Sequence, residues 1–376
     1  MVKGLNFMIP TFSSAGQNYK LTRAVLALSL TALFAAAPLR AEPKAGLPAF
    51  AVSNGAPLLS QAAATGAVVG QGGNYAVRLE DGRLIWFLNN VMAGELKPDG
   101  QGEVWSILDG AAAFSAAVST GAPAPFLEYL AEENGLPLPL LAGGPGESQA
   151  RRFWPRSGFC SGGKCWVFYS IMNNYGSDPY DYFRVGQGVA VSEKPEGTYR
   201  KVRVGGRNSF WNDIEPAFGS ALLQDEDGWV YVYGRAITAP GEYGAALARV
   251  KPPQLDAPEK YSYYSVDAAS GSWTGDVGEA SVVLDAMPED FSVSYNEFLK
   301  SYLAVYMDAE AGIVYARQAR YPWGPWGPAE KLLACAQEDY CYGAKEQPAL
   351  ALAGGKKIAL TVEKKNAPYL YELAFE

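Results

Sequence analysis

The stretch Trp211–Arg235, WNDIEPAFGSALLQDEDGWVYVYGR, decides the fold. It reads as two strands, Ile214–Leu223 and Trp229–Arg235, joined by a turn at Gln224–Gly228 that contains an Asp227-Gly228 pair. Val230 and Val232 alternate with aromatic neighbours in the second strand, the pattern of a strand buried on both faces of its sheet. At the start of the first strand Asp213 and Glu215 stand two residues apart. The two-residue period of a strand predicts that both carboxylates share one face.

The same unit, an inner strand, a Gly-containing turn and an aromatic-rich strand, recurs along the chain. The five copies are Asn74–Asn90, Trp154–Met172, Glu215–Arg235, Ser294–Met307 and Gln347–Val362. Third strands follow most of them, at Gly188–Ser192, Ala245–Val250, Gly312–Gln318 and Tyr369–Ala374. With 41 Gly and 25 Pro available for turns, this regularity predicts an all-β, five-bladed β-propeller. Because a blade cannot bury its faces alone, residues 60–376 are expected to form one domain. Ring closure predicts that a strand near Thr65–Gly70 lies beside the last copy. Between the first and second copies, Ala124–Asn134 (APFLEYLAEEN) has helical spacing and ends at Gly135 and Pro137, which predicts a short helical insertion.

Residues 1–41 read as a secretory signal peptide: Lys20 and Arg23, the apolar run Ala24–Ala37, then small residues to Ala41. The run is shorter than the roughly 20 residues that span a bilayer, and no other apolar run is long enough. The expectation is a secreted or periplasmic protein without a membrane span, cleaved after Ala41 or near Ala36. The formal net charge of −8 argues against nucleic acid. It also disfavours polyanionic substrates such as uronic-acid polymers, unless a local basic cleft overrides it. Nothing in the pattern suggests more than a monomer. Two tight pairs, Cys160/Cys165 and Cys335/Cys341, read in an oxidising compartment as two local disulfides; a zinc site is the alternative. The chain has no histidine, which removes Ser-His-Asp and Cys-His nucleophilic systems and every His-ligated metal site. Acid–base work falls to Asp, Glu, Tyr or Lys. The Gly-rich segments GQGG and LAGGPG lack a following Lys-Ser/Thr and a helix start, so no nucleotide, other cofactor or metal is expected.

WPRSG…CWVFYS, GQGVAVSEKPEGTYRKV, EPAFGSALLQDEDGWVYVYG, FSVSYNEFLKSYLAVY, ARQARYPWGPWGPAEKL and QPALALAGGKKIALTV…YLYELAF together resemble a five-bladed propeller family of uncharacterised exported proteins. That family is related to endo-D-arabinanases and to the arabinanase/β-xylosidase type of glycoside hydrolase. The resemblance runs from about Gly66 to the C-terminus. It implies an acidic residue in the turn before the first inner strand and a Gly-Asp pair after the Trp-containing strand. Here those places hold Gly72-Gly73-Asn74 and Asn89-Asn90, and both acids are missing.

A propeller collects the starts of its inner strands around a central funnel. The expected site therefore comprises Asn74, Trp154, Arg156, Trp211, Asp213, Glu215, Tyr295, Asn296 and Gln347. Rings, amides and carboxylates in this mixture suit a glycan, whose CH faces stack while its hydroxyls hydrogen-bond. Glu215 is the candidate general acid, and Asp213 its companion carboxylate. Two readings follow. One is a glycoside hydrolase-like protein acting on a polysaccharide. The other is a non-catalytic glycan-binding or surface-interaction propeller that has lost the first-blade acid.

Overall fold

The computed structural model describes residues 46–59, 68–97, 102–116, 124–144, 147–148, 150–176, 181–267 and 270–376. The signal peptide expected at 1–41 and residues 65–67 of the expected closing strand lie outside them.

Five antiparallel sheets follow one another. Blade 1 is Val68–Arg78, Leu84–Leu96, Gly102–Ser115 and Glu128–Tyr129; blade 2 is Arg151–Ser161, Lys164–Asn174, Tyr182–Ser192 and Arg200–Lys201. Blade 3 is Ala217–Gln224, Val230–Ala239, Glu242–Val250, Ser262–Val266 and Gly271–Thr274. Blade 4 is Phe291–Asn296, Ser301–Asp308, Ile313–Ala319 and Glu330–Ala334. Blade 5 takes Cys341–Glu346, Lys357–Lys364 and Ala367–Phe375 from the C-terminal end and Phe50–Val52 from the N-terminal end.

The second strand of each blade explains the ring. Its successive side chains point to opposite faces and so enter two different cores. Val230 and Val232 pack with Phe168 and Trp166 of blade 2, whereas Tyr231 and Tyr233 pack with Phe291 and Tyr302 of blade 4. Likewise Ile85 and Phe87 face blade 2, while Leu84, Trp86 and Leu88 face Leu350 and Ala359 of blade 5. Leu303 and Val305 meet Ile358 and Leu360 between blades 4 and 5. Five cores fill five interfaces, and the first and last blades are in contact. This is a five-bladed β-propeller.

Three expectations need correction. The segment 124–134 is not helical: Glu128–Tyr129 pairs with Ala113–Phe114 as the outer strand of blade 1. Leu127 and Tyr129 are buried while Phe126 and Glu128 are exposed, so a two-residue period overrides the helical spacing. The strand that completes blade 5 is Phe50–Val52, N-terminal to residue 60, which pairs with Leu373–Phe375. The segment expected near the last copy, described from Val68, does lie beside it, with the Gln71 N–H donating to Asn366 O at 2.9 Å, and it also opens blade 1. In blade 4 the inner strand starts at Phe291, three residues earlier than Ser294.

Cys160–Cys165 and Cys335–Cys341 are both disulfide-bonded, and the first joins two paired strands of blade 2. Paired cysteines point to an oxidising compartment. Among the described residues, no helix is long and apolar enough to cross a membrane.

Candidate functional site

Residues of all five inner strands line a cavity of about 230 Å³. Its wall includes Tyr75 of blade 1, Ser157 of blade 2, Ser220 of blade 3, Ser292 of blade 4, and Lys345 and Glu346 of blade 5. Beside the cavity, an ionic layer joins Glu289 and Asp290, which precede the blade 4 inner strand, to side chains within the inner strands of three other blades. Arg156 Nη1 donates to Asp290 Oδ1 at 3.1 Å, and its other terminal nitrogen pairs with Glu289. The Tyr75 hydroxyl donates to the same Asp290 oxygen. Lys345 Nζ lies 4.0 Å from that oxygen and 4.7 Å from the centre of the Tyr75 ring. Four blades thus meet at one carboxylate.

The electrostatics separate the acids. Burial pushes the Asp290 carboxyl up, but Lys345, Arg156 and the Tyr75 hydrogen bond outweigh it and hold it below the usual carboxylate range. Glu346 is nearly fully buried, and burial raises it to about 7 against the hydrogen bond from Ser294 Oγ at 2.7 Å. Glu363 is also raised to about 7 by burial; Lys345 opposes that rise, and Asp290 adds to it.

Asn74 is wholly buried, with φ 51°. Its Nδ2 donates to Glu363 Oε1 at 3.0 Å, and its Oδ1 accepts from Gln71 Nε2 at 2.6 Å. The glycine before it is required by space: a Cβ at Gly73, with φ 78°, would come within 2.8 Å of Asn89 Nδ2. Asn89 in turn donates to Pro155 O of blade 2 at 3.2 Å. Gln347 fastens blade 5 to blade 1, with Oε1 accepting from Ala76 N–H at 3.0 Å and Nε2 donating to Asn74 O.

The expected carboxylate pair sits elsewhere. Trp211–Asn212 pairs with Gly186–Gln187 of blade 2, Asp213–Glu215 is a bend, and the inner strand starts only at Ala217. Asn212 Oδ1 accepts from the N–H groups of Ile214 and Glu215, and the Glu215 carboxylate accepts from Asn212 N–H at 2.7 Å. Arg184 secures the turn from blade 2 by donating to the carbonyls of Asn212, Asp213 and Glu215. Asp213 is exposed. Neither carboxylate belongs to the axial layer.

Trp211 is core: it is 2% exposed, stacks on Phe168 and donates from Nε1 to Tyr263 OH at 2.9 Å. Tyr295 packs on Tyr302, and Asn296 donates to Gly355 O at 2.9 Å, both at the far end of their strand. Trp154 is half-buried beside Tyr182. Of the expected residues, Asn74, Arg156 and Gln347 converge on the axis. Asp290, Glu289, Lys345, Glu346, Glu363 and Tyr75 complete the cluster.

Among the described residues, the one group with metal-binding spacing is Cys335, Asp339 and Cys341. Its two sulfurs are bonded to each other, so they offer no thiolate ligands.

A model of the family described as "Domain of unknown function (DUF4185)" matches residues 138–373, more than half of the sequence. The chain belongs to the DUF4185 family. No curated protein matches it in sequence. Among solved structures, the DUF4185 propeller is similar to a "putative hydrolase" from Bacteroides ovatus, with 17% identity, a TM-score of 0.63 and coverage of 82% of this chain and 86% of that one. It is also similar to Zg3597, a family 117 glycoside hydrolase of Zobellia galactanivorans, with 11% identity, a TM-score of 0.51 and coverage of 87% and 90%. At these identities the likeness establishes the fold that they share.

Proposed function

We propose that this DUF4185 propeller is an exported carbohydrate-binding protein that receives a glycan at the ionic layer beside the axial cavity. The observation that carries this reading is the convergence of Tyr75, Arg156, Asp290 and Lys345 on one point. A preformed set of directional donors and acceptors beside a cavity is what fixes a polyhydroxylated ligand. Asp290 accepts from sugar hydroxyls. Binding is favoured over turnover because the Glu215 carboxylate is engaged by the Asn212 N–H and buried Asn74 occupies the place of the first-blade acid.

One observation supports a hydrolase as the second reading. Asp290 is held ionised while Glu346, on the cavity wall, is raised to about 7. A carboxylate and a carboxyl that keeps part of its protons at neutral pH are the two partners that glycoside hydrolysis uses.

The test is a glycan-library screen of the mature protein beside Asp290→Asn, scored for both retention and reducing-end release. The expected result is selective retention without release, about tenfold weaker in Asp290→Asn, the loss of one charge-assisted hydrogen bond. Release that disappears in both Asp290→Asn and Glu346→Gln moves the assignment to the second reading. Retention indifferent to Asp290→Asn overturns the axial site.

A further inference from the structure

A second cavity, of about 570 Å³, lies on blade 2 away from the axis. Its wall combines the arginines Arg151, Arg203 and Arg207 with the apolar side chains of Phe153, Ile171 and Val185. The first three come from the start of an inner strand and from the hairpin closed by Val204 and Arg207. Among the described residues, no carboxylate pairs with any of the three guanidinium groups. Glu147, the carboxylate on the cavity wall, is already engaged by Lys201 Nζ at 2.6 Å, by Asn208 Nδ2 and by the Gly144 N–H, which leaves the three arginines to set the sign of the cleft. Lys201 Nζ also sits 3.5 Å from the centre of the Phe153 ring, which fixes both the ring and the cation beneath the cleft.

Three unneutralised arginines on one cleft stand out in a chain whose formal net charge is −8. A concave site of one sign focuses its field and draws in the opposite charge. The guanidinium fork fits planar or tetrahedral oxyanions with two parallel hydrogen bonds. The apolar floor adds a surface for a ring face, and the volume lies within the roughly 300–1,000 Å³ of small-molecule sites.

We propose that this blade 2 cleft binds the carboxylate or sulfate group of an acidic saccharide, with Arg151 and Arg207 holding the anion and Phe153, Ile171 and Val185 meeting the sugar ring. The charge argument stands by itself; that a sugar carries the anion rests on the glycan reading above.

The experiment is calorimetric titration of the mature protein with five probes: an oligogalacturonate, a sulfated galactan oligosaccharide, a neutral xylo-oligosaccharide, a single-stranded oligonucleotide and inorganic sulfate. Wild type is compared with Arg151→Gln, Arg207→Gln and, as a control on the outer strand of blade 4, the exposed Lys331→Gln. At least one acidic oligosaccharide should bind tenfold or more tightly than the neutral one, and which of the two does so identifies the anion. Each arginine substitution should weaken that binding about tenfold and reduce its salt dependence, and Lys331→Gln should leave it unchanged. Both arginines are partly or fully exposed, so thermal melts should coincide with wild type. Acidic binding indifferent to both arginine substitutions overturns the site. Sulfate binding that needs Arg151 and Arg207, with no acidic oligosaccharide exceeding it, overturns the saccharide half alone. A single-stranded oligonucleotide that binds more tightly than either acidic saccharide also overturns that half.

Discussion

Glu346→Gln should stabilise the protein, and only at high pH. Glu346 is 2% exposed, and its carboxyl is raised from 4.5 to about 7. A folded-state value above the unfolded one means that the folded protein holds the proton more tightly. The stability contributed by this group is therefore full below about pH 4.5 and is lost as pH rises through about 7. A shift of this size corresponds to ~3 kcal/mol at pH 8.5 and to under ~1 kcal/mol at pH 5. Glutamine keeps an oxygen for the Ser294 hydroxyl and carries no charge to bury. Urea unfolding at both pH values should thus give Glu346→Gln a gain of ~2–3 kcal/mol at pH 8.5 and little change at pH 5. An equal effect at the two pH values, or a loss at pH 8.5, refutes the reasoning.

Two further outcomes test the ionic layer. Arg156→Met leaves Asp290 and Glu289 without their shared arginine and should cost ~3 kcal/mol in urea unfolding at pH 7, the low end for a broken buried pair because Lys345 and Tyr75 still face Asp290. Since Asp290 is held below its ordinary value, that deficit should shrink as pH falls through the carboxylate range. Asn74→Asp places a second carboxylate against Glu363 in place of a hydrogen-bond donor and should cost at least ~2 kcal/mol at pH 8. The loss should be smaller at pH 5, where one of the two acids is protonated; an unchanged melt at pH 8 would show that the position tolerates an acid.

The blades were legible in the sequence because their second strands alternate side chains between two cores, as Val230–Tyr233 does. The site was legible only where a residue opened a recognised strand, as Asn74 and Arg156 do. Glu289 and Asp290 read only as residues ahead of the fourth inner strand, near the rim and without a role, because the apolar pattern placed that strand at Ser294. Pairing Phe291 with Tyr306 would have lengthened it and exposed Glu289-Asp290 as its entry. Glu363 gave a faint signal, one acid in the apolar alternation of Lys357–Lys364, and its partners Lys345 and Asn74 lie on other strands. The strand reading of Asp213–Glu215 failed for the converse reason: a two-residue spacing that fits a strand also fits the bend held by the Asn212 side chain.

The pairing of Phe50–Val52 with Leu373–Phe375 has a consequence in time. The segment that leaves the ribosome early must wait for nearly the whole polypeptide before its hydrogen-bonding edge is met. Until then the last sheet presents an open border, so completion of the circle is held back to the end of synthesis. Any holding factor that shields that border in the meantime would govern the yield of finished rings more than the stability of any single wedge.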